Sequence, residues 1–131
     1  MVMENKYYTP EINEFYVGFE YEELEEVENN NQTWNKYQVE KSDYLGNYNN
    51  SLALNEIRVK ILDKEDIESL GFEEVESGIY MKDKTKFVKY VLDTRSSRFS
   101  IRNSIYNECW FYGTIKNKSE LIRILKQLHI D

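Results

Sequence analysis

Between Tyr80 and Arg102, seven cations (Lys82, Lys84, Lys86, Lys89, Arg95, Arg98 and Arg102) are interleaved with the rings of Tyr80, Phe87, Tyr90 and Phe99. Guanidinium groups spaced in this way suit phosphates, and nearby rings could stack a base. Arg98, Ser100 and Arg102 fall on alternate positions, so a strand would direct them to one face and Phe99 and Ile101 to the other. The residues expected to hold a small anionic, nucleotide-like ligand are Lys86, Lys89, Arg98 and Arg102, with Tyr90 or Trp110 stacking on it. The competing reading is an ordinary solvated sheet face whose lysines guard an edge. Long nucleic acid is disfavoured as a partner, because the acidic remainder of the chain repels a polyanion.

That remainder offers a second constellation. Glu20, Glu22, Glu23, Glu25 and Glu26 crowd one short stretch, and an acidic face there could meet a basic host protein or mimic nucleic acid. Residues 1–80 carry 19 Asp+Glu against 6 Lys+Arg, whereas residues 81–131 carry 5 against 11. Either the two halves neutralise each other or a basic face is left for an anion.

Other chemistry finds little support. The only histidine, His129, and the only cysteine, Cys109, would have to meet across a strand and a helix end to form a dyad. Carboxylates are plentiful and Glu20 and Glu22 share a strand face, so a metal-dependent hydrolase is the third reading. The acidic run, however, lacks the Asp/Asn-and-glycine pattern of a calcium loop. The one acidic-x-Lys match of the kind some nucleases use is Glu4-Asn5-Lys6. Five isolated glycines draw neither a phosphate loop nor a dinucleotide fingerprint. No catalytic residue, metal ligand or cofactor is therefore assigned, and the chain is read as non-enzymatic.

The elements that must position these residues follow from pattern. At 131 residues, with 40% apolar and 15% aromatic content, the chain fits a single domain over 1–131 with one core. One alanine among 11 tyrosines favours strands over a helical bundle. Phe15, Val17, Phe19 and Tyr21 alternate as a half-buried strand, and Glu22–Glu28 reads as its solvated end or a loop. Asn29–Thr33 is a loop by composition, with Trp34, Tyr37 and Val39 in a second strand. Lys41–Asn50 reads as a surface loop. Ile57, Val59 and Ile61 alternate inward. Asp63 caps a two-turn helix that Gly71 stops. Phe72–Val75 and Gly78–Met81 form a hairpin, followed by strands at Lys86–Leu92, Arg98–Arg102 and Cys109–Ile115. Asn117 and Glu120 cap a helix to His129, whose Leu121, Ile124, Leu125 and Leu128 form an apolar stripe. The expected fold is α+β: a mainly antiparallel sheet of about five to seven strands, with a short central helix and a C-terminal amphipathic helix packed on it.

No apolar run reaches the roughly 18 residues that span a bilayer, and the N-terminus lacks a signal-peptide plan. With a lone cysteine this makes the cytoplasm the expected compartment. Tyr8-Thr-Pro-Glu-Ile-Asn-Glu-Phe15 with Gly18-Phe-Glu-Tyr-Glu22, and Phe111-Tyr-Gly-Thr-Ile-Lys-Asn-Lys-Ser-Glu-Leu121, resemble the two ends of small proteins of bacteriophages and Bacteroidota-type bacteria. The resemblance implies a viral or mobile-element origin and a small binding protein that sequesters or blocks a host factor, for instance as a host-defence antagonist. It assigns no residue a role, and a homo-oligomer is compatible with it.

Overall fold

Strands dominate and the last helix closes the chain, as the α+β reading requires, but the strands form two sheets rather than one. The computed structural model describes residues 6–41, 43, 48–105 and 108–130. Met1–Ile61 and Leu62–Asp131 form two compact units, each with its own sheet and its own apolar cluster. Glu4 and Asn5 of the acidic-x-Lys match, and residues 42 and 44–47 of the loop expected at 41–50, lie outside the described residues.

In the first unit, β1 (Tyr7–Tyr8), β2 (Glu20–Val27), β3 (Asn31–Gln38) and β4 (Ile57–Lys60) form an antiparallel sheet of order β1-β4-β2-β3. Of the Phe15–Tyr21 alternation only the last two residues, Glu20 and Tyr21, are strand, the start of β2. Gly18 takes φ +96°, a region open to glycine at little cost, and Phe19 N–H bonds Tyr16 O at 2.9 Å. The resulting turn brings Phe15, Phe19 and Tyr21 into one core with Val39, Ile57 and Val59. Val17 is left 57% exposed. Of the two readings of the glutamate run, strand end or loop, the strand holds: Glu22–Val27 belongs to β2. This strand pairs with β3 over eight positions, from Glu20↔Gln38 to Val27↔Asn31, and Asn29 (φ 65°) makes the tight reversal, a conformation asparagine tolerates. The asparagine-rich stretch holds a helix, α1 (Tyr48–Ala53). Tyr48 packs on Phe15 with ring centroids 4.6 Å apart. Ile61, expected inward, is 39% exposed.

The second unit follows expectation more closely. Asp63 caps α2 (Lys64–Ser69), accepting from Asp66 N at 2.9 Å. Gly71 ends the helix at φ +94°. A five-stranded antiparallel meander follows: β5 (Glu73–Glu76), β6 (Ile79–Asp83), β7 (Lys89–Asp93), β8 (Phe99–Asn103) and β9 (Cys109–Gly113). Closing the unit, α3 (Lys118–Gln127) has Asn117 accepting from Glu120 N at 2.8 Å. Glu120 bends back to Lys116 N–H at 2.9 Å, one residue short of the reciprocal cap expected. The helix stops before His129, which adopts φ 58° while Ile130 N–H reaches Leu125 O at 2.8 Å. This is a left-handed C-terminal closure. Leu121, Ile124 and Leu125 of α3 and Ile67 of α2 join Tyr80, Tyr90, Leu92 and Ile101 in one cluster. Both helices thus cover the same face of the sheet. The pleat directs the intervening residues, among them Asp93, Ser100 and Arg102, to the other face.

No helix among the described residues is long and apolar enough to cross a membrane.

Candidate functional site

On that second face, β7, β8 and β9 and the turn between the first two enclose an open depression of about 540 Å³. Asp93, Arg95, Ser96, Arg98, Ser100, Arg102, Cys109 and Tyr112 line it. The register explains the gathering: Asp93 lies opposite Ser100, Ser100 opposite Tyr112, and Arg102 opposite Cys109.

The turn supplies the remaining cations, Arg95 and Arg98. Thr94 donates to Gly78 O through N–H (2.8 Å) and through its hydroxyl (2.9 Å). Gly78 itself sits at φ +81°, with room for Arg95 Cγ where a β-carbon would stand only 3.0 Å away. So placed, Arg95 grips Asp93 with two side-chain bonds, Nε to Oδ1 at 3.0 Å and Nη2 to Oδ2 at 2.8 Å. Arg102 Nη2 reaches the same Oδ2 at 3.3 Å. The hydrogen bonds from Arg95, foremost, and the Arg102 charge hold the Asp93 carboxyl below the usual carboxylate range. Its side chain is only 14% exposed. Arg98 is exposed, lies 5.9 Å from the Tyr112 ring centroid, and has no ion pair among the described residues. Tyr112 is 63% exposed. Three guanidiniums against one carboxylate give the depression a net positive charge of two, beside an open aromatic face.

Of the six residues expected at an anion site, the structure brings together two, Arg98 and Arg102. Tyr90 is 6% exposed in the helix-covered core. Trp110 packs against it there, with centroids 5.7 Å apart, because a bulge between Ile101 and Arg102 shifts the β8–β9 register. Neither ring can stack a ligand held by Arg98. Lys89 pairs with Asp83 at 3.7 Å, at the far end of β7. Lys86 lies 5.7 Å from the Phe87 ring, before that strand begins. Arg95, Asp93 and Tyr112 take their places. The Asp93-x-Arg95 spacing across a turn was the available signal for the first two.

The five glutamates of β2 are split by the pleat. Glu20, Glu22 and Glu26 share one face, and Glu23 and Glu25 the other. Glu22 pairs with Arg58 at 3.3 Å; the Arg58 guanidinium also lies 3.7 Å from the Tyr7 ring and 4.2 Å from Trp34. Glu25 accepts from Asn35 Nδ2 at 2.9 Å and from the Tyr37 hydroxyl. Burial first, and then the Glu25 charge, push the Glu23 carboxyl up. Among the described residues Glu23, Glu25 and Glu26 have no cation partner.

Among the described residues no group of three or more His, Cys, Asp or Glu side chains could hold a metal ion. Cys109 donates its thiol to Phe111 O at 3.2 Å, and no hydrogen bond among the described residues joins it to His129. No family model, curated protein or solved structure matches the chain, so the reading rests on this geometry alone.

Proposed function

We propose that the depression between β7 and β9 binds a small aromatic phosphoanion such as a nucleotide, and that the protein acts by holding that molecule rather than converting it. The observation that carries this is Arg98: an exposed guanidinium with no ion pair among the described residues, beside an open tyrosine ring, in a depression whose lining holds three guanidiniums and one carboxylate. Arg98 meets the phosphate and Tyr112 stacks on the base, with Ser100 opposite Tyr112 in the same lining. The volume falls in the range of small-molecule sites. Sequestration of a host nucleotide by a phage-encoded, cytoplasmic protein is the role this reading shares with the resemblance at the chain's two ends.

Calorimetric titration with AMP, adenosine and inorganic phosphate at low and high salt tests it. AMP should bind most tightly, adenosine should show no salt dependence, and Arg98→Glu should weaken AMP at least tenfold at an unchanged melting temperature. Iodoacetamide modification of Cys109, which lines the same depression, should slow when AMP is present. Equal affinity of wild type and Arg98→Glu for AMP, or no binding of AMP, GMP or a cyclic dinucleotide, overturns the proposal.

A further inference from the structure

The far edge of the first sheet is formed by β3. β3 ends the order β1-β4-β2-β3, and no strand among the described residues pairs with its other side. Its eight residues match β2 one to one without a bulge, and six of them are exposed. Alternate residues of an antiparallel edge direct N–H and C=O away from the sheet. Edges are normally blunted by prolines, bulges or several charges; β3 has no proline, no bulge and one charge, Lys36. Such an edge is a template for an added strand.

Charge decides which strand fits. Behind β3 stands β2, whose Glu23, Glu25 and Glu26 have no cation partner among the described residues. The unit as a whole, residues 1–61, carries 12 Asp+Glu against 5 Lys+Arg. A second copy pairing edge to edge would bring two glutamate strands within about 14 Å of each other, three strand spacings, and like charges would oppose it. A strand of opposite sign would lie about 10 Å from β2, where lysine and arginine side chains reach the carboxylates on both faces. We infer that the β3 edge accepts a basic, extended segment of a partner protein as a fifth strand, with the β2 glutamates selecting for its charge.

The test uses the full chain and a fluorescein-labelled octapeptide, Lys-Thr-Lys-Val-Lys-Thr-Lys-Val. Its glutamate counterpart and a version N-methylated at alternate residues serve as controls; the latter keeps the charge but cannot extend a ladder. Fluorescence polarisation should show saturable binding of the lysine peptide, with both controls at least tenfold weaker. Amide exchange at residues 31–38 should slow on binding. Glu23→Gln/Glu26→Gln, checked for an unchanged circular dichroism spectrum, should weaken the lysine peptide several-fold. Equal binding of the N-methylated peptide, unprotected β3 amides, or a stable dimer whose β3 amides are already protected would each overturn the inference.

Discussion

The two units use the same material, a small antiparallel sheet with an aromatic-rich core, and treat charge in opposite ways. The first carries 12 acidic against 5 basic residues, the second 12 against 12. The basic stretch that begins after Tyr80 therefore shares its unit with the acidic α2 and β5, where Lys64 pairs with Glu68 and Glu74. Sheet position rather than sequence half decides the field. On β7 a carboxylate, Asp93, sits between two guanidiniums, whereas on β2 Glu23 and Glu25 share one face and have no cation partner among the described residues. One unit presents an excess of cations at a depression, and the other an excess of anions behind an open edge.

The widest test of this contrast is whether the two cores are separate, and each unit contains one of the chain's two tryptophans, Trp34 and Trp110. Leu121, fully buried against the second sheet, should cost about 2–5 kcal/mol when replaced by alanine. The loss is read by Trp110 fluorescence in a Trp34→Phe background during urea unfolding. Phe19, 1% exposed in the first core, should cost about 3–5 kcal/mol as Phe19→Ala, read by Trp34 in a Trp110→Phe background. If each truncation lowers both signals equally, the two clusters unfold as one and the comparison fails.

A smaller effect separates the two turns. Gly18 and Gly78 both have positive φ, so alanine at either should cost about 1 kcal/mol through the backbone alone. At Gly18 the nearest atom to an added β-carbon is Gln38 Nε2 at 3.9 Å, whereas at Gly78 it is Arg95 Cγ at 3.0 Å. Gly78→Ala should therefore be the more destabilising of the two by chemical denaturation, and should weaken AMP binding by dislodging Arg95. Equal costs, with AMP binding unchanged, would remove Gly78 from the site's support.

What the sequence made legible follows the same divide. The α3 stripe, the Asp63 cap and the shared face of Arg98, Ser100 and Arg102 depend on local period and capping, and all three are present. What it hid depends on events between elements. Trp110 turns to the core because of one bulge, which no alternation rule registers. Arg95 reaches Asp93 because a turn is pinned to Gly78, which folds the chain back so that one side chain grips the other. For Glu22–Glu28 a strand end and a loop both stay open in the sequence, because its propensity for strand is poor; the pairing with β3 makes Glu22–Val27 strand. Over Phe15–Phe19 the period of two has another origin, a turn around Gly18.

The finest test is acid titration, where Asp93 and Glu23 should act with opposite signs. Asp93 has its folded pKa depressed, so its contribution is complete above the unfolded value of about 3.9 and is lost as pH falls through the folded one. Glu23 has its folded pKa raised, so ionisation works against folding. The first unit is relieved of that penalty below the unfolded value of about 4.3 and bears it once pH rises through the folded one. Glu23→Gln keeps an acceptor for the Ser51 hydroxyl, 3.5 Å away, and removes the charge. It should raise the stability of the first unit at pH 7 by a few tenths of a kcal/mol, the scale of exposed charge pairs, and have no effect at pH 3.5. Asp93→Asn should lower the stability of the second unit at pH 7, and its deficit should shrink as pH falls below about 3.9. Fluorescence-detected urea midpoints, taken from each tryptophan across this range, measure both. A Glu23→Gln variant less stable at pH 7 than the parent would mean that the β2 carboxylates are compensated after all. The acidic field invoked behind β3 would then have to be abandoned, while the arginine depression would stand untouched.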